Sequence, residues 1–196
     1  MNCRNYRLSC VDVAGLFCYE WTDSPPRAIV QIVHGAFEHA ARYAHFACAL
    51  VARGFAVVAE DHRGHGRTAA TVVELGHMGP ANAIERVADD VVRLTLESRA
   101  VFPGLPAILF GHSLGSLISQ RVLAKHGRLY DAAVLSGSLA IDDLIQTKPA
   151  IDEATSRHGR DSPAEQLHAS FLSELVQDID SPRTQFDWLS RDSIEV

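Results

Sequence analysis

Four short, nearly continuous apolar runs constrain the fold of this chain more than any other feature: residues 28–33, 55–59, 107–110 and 132–135. They are rich in β-branched side chains and lack the polar alternation of a strand with one wet face. Such runs suit strands buried on both faces of a parallel sheet. Helix-period segments lie between them. Tyr43, Phe46, Ala47, Leu50 and Val51 recur at helical spacing, with Gly54 placed to end that helix. Ile84, Val87, Val91 and Leu94 mark a second helix, and Leu117, Ile118, Val122 and Leu123 a third that closes near Gly127. Strands alternating with helices predict an α/β fold with a mostly parallel sheet. Two partly alternating runs ahead of them, 6–11 and 16–21, suit an opening hairpin.

Beyond Ser138 the rhythm changes. Ser162-Pro163-Ala164-Glu165 has the form of a capping box with proline at the first helical position, and Leu167, Phe171, Leu172, Leu175 and Val176 follow as an apolar stripe. No further buried strand is evident. The expected organisation is a core over residues 1–138 and a helical cap over 139–196 whose return to the core is incomplete. The stripe suits packing of the cap onto the core, or an acyl-chain pocket or lipid contact in which Leu167 and Phe171 take part.

Three loops that follow these strands carry chemistry. Gly111-His112-Ser113-Leu114-Gly115 spells G-x-S-x-G between a buried strand and a helix pattern, the setting a nucleophile elbow requires. The turn is too tight for side chains beside Ser113, and Gly115 lets the helix approach the sheet. The hydroxyl then projects from the carboxyl end of the sheet, where ligands bind in open α/β folds. "HGAFEH", His34 to His39, also starts at a strand end. A tetrahedral intermediate needs backbone N–H groups fixed around its negative oxygen. Leu114 N–H is one such donor, and Ala36 N–H is the natural second, because Gly35 permits close approach of the backbone. His34, Glu38 and His39 suit loop-bracing hydrogen bonds. "EDHRGHGRT", Glu60 to Thr68, reads as a structural loop beside that site, and no partners at ligand spacing accompany His62 and His65 to make a metal centre. No metal or cofactor is expected.

Taken in order, "HGAFEH", "DHRGHG" and "GHSLG" resemble the α/β-hydrolase superfamily, and more narrowly its branch of monoacylglycerol lipases, lysophospholipases and serine aminopeptidase-like hydrolases. "RTQFDWLSRD", Arg183 to Asp192, resembles a segment of the same branch. The resemblance implies a serine hydrolase of small-molecule or lipid esters, with Ser113 as nucleophile and Ala36 and Leu114 as oxyanion-hole donors. Phe37 stands where many relatives have a small residue, which implies a narrowed or reshaped pocket mouth.

Partners of such a serine come in the order Ser, then Asp or Glu, then His. The segments that hold the acid and the histidine in relatives have no counterpart here. Of the histidines that follow, His126 lies thirteen helical residues on, roughly 20 Å away at ~1.5 Å per residue. His158 and His168 fall in the cap region, and the His112 side chain should point away around the elbow. The expectation is therefore a truncated chain that lacks the last two sheet strands, with very weak turnover, since losing the base costs on the order of 10⁶. It would also have an exposed apolar edge at 132–135 that invites self-association. The alternatives are a non-catalytic, ligand- or partner-binding product, or another chemistry on the same elbow, such as acyl transfer or peptide hydrolysis.

Composition narrows the remaining classes. A formal net charge of −6 and the absence of Lys/Arg runs exclude a nucleic-acid surface. The N-terminus lacks a signal-peptide pattern, and no window reaches the ~18 apolar residues of a membrane span. All four cysteines fall in the first quarter without a C-x-x-C pair, which suits reduced thiols in a cytoplasmic protein.

Overall fold

A computed structural model describes residues 2–10, 15–23, 25–79, 82–138, 141–159, 162 and 169, the side chains of 141–144 excepted. Six strands alternate with helices: β1 (Asn2–Leu8), β2 (Leu16–Thr22), β3 (Ala28–Val33), α1 (Ala44–Val51), β4 (Phe55–Glu60), α2 (Ala83–Val101), β5 (Ala107–His112), α3 (Leu114–His126) and β6 (Ala132–Ser136). The strand order is β1-β2-β4-β3-β5-β6. β1, β2 and β4 pair antiparallel, whereas β4, β3, β5 and β6 are all parallel. The sheet is thus the expected mostly parallel one, led in by a hairpin.

Alternation within each strand distributes the core to both faces. Val30 and Ile32 of β3, with Val57 and Ala59 of β4, meet Ala47 and Val51 of α1. Val33 of β3 and Leu109 of β5 meet Val87 and Val91 of α2 and Ile118 and Val122 of α3 on the other face. Every residue of β3 is buried, Gln31 included. Its amide is accommodated because Nε2 donates to the Val91 carbonyl at 2.9 Å and Oε1 accepts from the Thr95 hydroxyl at 2.6 Å.

One expectation needs correction. β1 runs over Asn2–Leu8 rather than 6–11, and all of it but Leu8 lies outside the buried core. Its backbone pairs with β2 from Asn2↔Thr22 to Leu8↔Leu16, so pairing extends where apolar content does not. The run at 132–135 is a strand, and it is exposed, as expected of an apolar edge there. Among the described residues β6 has a neighbour on one side only, β5, and Val134 and Leu135 are 49% and 41% exposed.

The chain divides into two compact units, Met1–Leu139 and Ala140–Val196. Within the second, α4 (Ile141–His158) contains Pro149, which contributes no backbone N–H to its helix. Leu167 and Phe171 of the expected apolar stripe lie outside the described residues, as do Pro163 to Glu165 of the capping box. No helix among the described residues is long and apolar enough to cross a membrane. The four cysteines are free thiols.

Candidate active site

The loops after β3, β4 and β5 leave the same end of the sheet, because these three strands are parallel and adjacent. Ser113 sits between β5 and α3 with φ 52° and ψ −120°, a backbone conformation that a residue bearing a Cβ rarely adopts. Its N–H donates to the Ser136 carbonyl of β6 at 2.9 Å. Its carbonyl accepts from both the N–H and the hydroxyl of Ser116, at 2.9 and 2.6 Å. The strained turn is therefore tied on both sides. Ser113 itself is half-buried.

The glycines around it are demanded by contact. A Cβ on Gly115 would lie 2.0 Å from the Val33 carbonyl oxygen and 2.5 Å from that of His34. One on Gly111 would lie 2.4 Å from Ser119 Oγ and 2.5 Å from the Gly115 oxygen. This is the sharp strand–turn–helix geometry of a nucleophile elbow.

The loop after β3 faces that turn closely. A Cβ on Gly35 would approach Ser113 Cβ to 3.2 Å and the His112 oxygen to 3.4 Å. Ala36 follows, half-buried, and among the described residues neither its N–H nor that of Leu114 has a hydrogen-bond acceptor. Leu114 opens α3, where first-turn N–H groups have no intrahelical partner. Phe37 adopts φ 60° and is 39% exposed.

The loop is braced from beneath. Glu38, 4% exposed, accepts from Gly35 N–H, from the Arg42 guanidinium and, at 2.7 Å, from the Tyr43 hydroxyl. Burial and this carboxylate raise the Tyr43 phenol well above its ordinary value, so it stays a donor. The buried Asp61 carboxylate joins the two loops, accepting from Ala40 N–H at 2.8 Å, Arg67 N–H at 2.7 Å and the Tyr19 hydroxyl at 3.1 Å. Arg63 makes a buried two-point contact with Asp90 of α2, with Nη2 to Oδ1 at 2.9 Å and Nε to Oδ2 at 2.5 Å.

Three buried imidazoles fill the space between the loops. The His34 and His62 rings stack with centroids 3.8 Å apart, and His65 lies 5.3 Å from His34. Burial, reinforced by His62 and His65, lowers the His34 pKa well below the ordinary value, and burial likewise lowers that of His65. One nitrogen of each of two rings is engaged within the loops: His65 Nδ1 with the Arg63 carbonyl at 2.9 Å, and His62 Nε2 with the His34 carbonyl at 3.1 Å. Among the described residues no cluster of three metal-ligating side chains forms.

His112 points along β6, its Nδ1 3.4 Å from Ser136 Oγ, and lines a cleft with Arg42, Tyr43 and Phe110. His126 ends α3, and His158 ends α4 in the second unit. His168 lies outside the described residues. Among the described residues no side chain hydrogen-bonds the Ser113 hydroxyl.

Sequence reasoning missed Glu60, which is fully buried in β4 beside His62. Its signal was available: a carboxylate ending a five-residue apolar run is on a buried strand by position. The family described as serine aminopeptidase, S33, matches residues 24–196. A monoacylglycerol lipase from Mycolicibacterium smegmatis is 35% identical over 156 residues, which cover 78% of this chain and 54% of the relative. Lysophospholipase L2 from Escherichia coli K12 is 30% identical over 111 residues, 57% of this chain and 32% of the relative. The chain thus spans about half the length, or less, of these curated relatives. Among solved structures, a highly thermostable carboxyl esterase from Bacillus coagulans in complex with glycerol superposes with a TM-score of 0.82 at 28% identity, over 98% of this chain and 63% of the esterase. The strained serine turn and the glycine loop facing it fall inside the matched span, and this chain belongs to the serine aminopeptidase, S33 family, on an α/β-hydrolase fold.

Proposed function

We propose that this chain carries the nucleophile half of a serine carboxylic-ester hydrolase acting on lipid-like esters of the monoacylglycerol or lysophospholipid type. The observation that supports it best is the turn at Ser113. A non-glycine residue at φ 52° is retained, between two glycines that no side chain can replace, at the mouth of a parallel sheet. Strain of this kind, on the order of 1–3 kcal/mol, persists where surrounding structure over-determines it and clusters at reactive sites. In this reading Ser113 Oγ attacks the ester carbonyl, and the oxygen that becomes negative is received by the N–H groups of Ala36 and Leu114. Collapse of the tetrahedral intermediate expels the alcohol and leaves an acyl group on Ser113, which water removes. Phe37, exposed beside the oxyanion loop, narrows the entrance. Leu167 and Phe171, in the apolar stripe of the sequence, are assigned to substrate binding in this reading. The names of the relatives support the ester class, since they include a monoacylglycerol lipase, a lysophospholipase and a carboxyl esterase. Turnover by the 196-residue chain is proposed to be very weak, because among the described residues no side chain hydrogen-bonds the Ser113 hydroxyl to activate it.

Labelling with a fluorophosphonate, read by intact mass against Ser113→Ala, tests this reading. Slow, substoichiometric labelling that disappears in the variant is expected. Labelling elsewhere, or equal labelling of both proteins, refutes the assignment. Stoichiometric, rapid labelling of Ser113 overturns the weak-turnover part and requires a base supplied by this chain or by a second copy.

A second reading is favoured by β6. Four of its five residues are exposed, and its outer edge is unpaired among the described residues. Such an edge is a template for another strand, so a non-catalytic product that pairs with a second polypeptide is the rival. A sedimentation mass that rises with concentration supports it, and a monomer at all concentrations counts against it.

A further inference from the structure

Glu60 ends β4 with 0% exposure, and its carboxylate oxygens have no hydrogen bond of ordinary geometry. The same holds for His62 Nδ1, which lies 3.2 Å from Glu60 Oε1. An isolated carboxylate in such a place costs far more than a neutral carboxyl, and the usual outcome is uptake of a proton.

The proton positions around the pair can be assigned by following donors and acceptors. His62 N–H donates to His34 Nε2 at 3.0 Å, so that nitrogen is bare. The His34 proton is therefore on Nδ1, where the Gly35 carbonyl accepts it at 2.8 Å. The His34 carbonyl lies 3.1 Å from His62 Nε2, so that nitrogen must carry a proton. In a neutral His62 ring this leaves Nδ1 bare, facing Glu60. A lone pair opposed to a carboxylate is repulsive, and one proton between them removes the conflict.

The surroundings favour placing it on the carboxyl. Burial raises the Glu60 pKa above the ordinary carboxylate value; the neighbouring His62 pulls it down without reversing the shift, and Asp90 pushes it up again. The charge of Arg63 is already committed to Asp90. Cys18, which pairs with Glu60 across the sheet, together with Tyr6 and Tyr130, are the other titratable groups that feel Glu60. None of them brings a positive charge.

We propose that Glu60 is a positioning residue: its neutral carboxyl donates to His62 Nδ1, fixing the Nε2–H tautomer that holds the His34 carbonyl and, through it, the His34–Gly35–Ala36 loop. The relay is short. Glu60 sets one ring, that ring holds the His34 carbonyl while the His62 backbone N–H holds His34 Nε2, and the next N–H but one belongs to Ala36. Gly115 of the elbow packs on the same Val33 and His34 carbonyls, so a shift of this segment would reach both sides of the site. The tautomers of His34 and His62 stand on hydrogen-bond geometry, and the carboxyl proton on the complete burial of Glu60; their relevance to catalysis rests on reading Ala36 as an oxyanion donor.

The test is ¹⁵N-histidine NMR and amide exchange on the full 196-residue chain, with Glu60→Gln and Glu60→Leu. In the unsubstituted protein at neutral pH, His62 should show a protonated Nε2 and a bare Nδ1, two widely separated nitrogen resonances. Glu60→Gln, whose amide N–H can replace the carboxyl proton, should keep that pattern and the Gly35 and Ala36 exchange rates. Glu60→Leu should mix the two tautomers and speed Ala36 exchange by about tenfold, as expected for losing one buried hydrogen bond. An imidazolium at His62 in the unsubstituted protein, an Nδ1–H tautomer, or equal exchange in Gln and Leu variants overturns the proposal. Should Glu60→Leu fail to fold, the other two proteins still decide it. The expected His62 pattern without any labelling of Ser113 upholds the pair while counting against the hydrolase reading.

Discussion

The strands β3 and β4, whose carboxyl ends carry the site loops, and the edge strand β6 come from similarly apolar stretches of sequence, yet they end in opposite conditions. Around the loops, Glu38, Asp61 and Arg63 are buried and all have partners, and three imidazoles stack or tilt against one another. β6 exposes alanine, valine and leucine and pairs along one side only among the described residues. The difference teaches that hydrophobicity placed both strands in one sheet, while neighbouring elements decided which of them became rigid. Where strands abut on both sides, most polar groups can be buried because they find partners, with Glu60 an exception. At an edge the same backbone keeps unpaired donors and acceptors.

That contrast can be broken most severely at Gly115. Gly115→Ala places a methyl 2.0 Å from the Val33 oxygen, against backbone that cannot yield cheaply. The expected loss is about 3 kcal/mol, the upper range for overpacking, measured by urea unfolding. A loss below about 0.5 kcal/mol would show that α3 can slide away from β3 and that the elbow is looser than described.

Acid should act on the loops and spare the edge. His34 and His65 have pKa values lowered in the folded state, so below the ordinary value of 6.5 the unfolded chain binds more protons than the folded one. Stability should therefore fall as pH drops through 6.5, with a slope of up to about 1.4 kcal/mol per pH unit for each ring kept neutral. Glu60 acts in the opposite sense, because its folded-state pKa is raised: its contribution is lost as pH rises above the ordinary carboxyl value of 4.5. Urea midpoints followed across this range in the unsubstituted protein and in His65→Asn should show a shallower acid slope in the variant. Equal slopes would mean that His65 is charged in the fold.

The smallest expected effect on stability belongs to the edge. Val134→Lys puts a charge on a side chain already 49% exposed, and should change unfolding free energy by within about 0.5 kcal/mol. Its mark should be on association. If the chain self-associates through β6, the sedimentation mass should fall to that of the monomer in the variant. An unchanged oligomer would place the contact elsewhere.

Much of this was legible in the sequence. The strands at β3, β4 and β5, the helices between them and the elbow at Ser113 follow from short-range patterns that the folded structure respects. The bracing role of Glu38 was legible too, since its nearest partners, Gly35, Arg42 and Tyr43, lie within five residues of it. The extent of β1 was not, because a hairpin ladder is set by backbone pairing with β2 and not by apolar content. Nor was the site's buried polar interior. Asp90 meets Arg63 across 27 residues of chain and His62 meets His34 across 28, distances over which no local pattern carries information.

By itself the sequence determined the periodicities, and with them the α/β order and the place where a serine could be strained between glycines, because these depend on sterics and burial within a few residues. Only the tertiary structure decided which polar groups would be enclosed together and that Glu60 would face His62 Nδ1. Protonation and exposure are properties of surroundings, and those surroundings come from elements far apart in the chain.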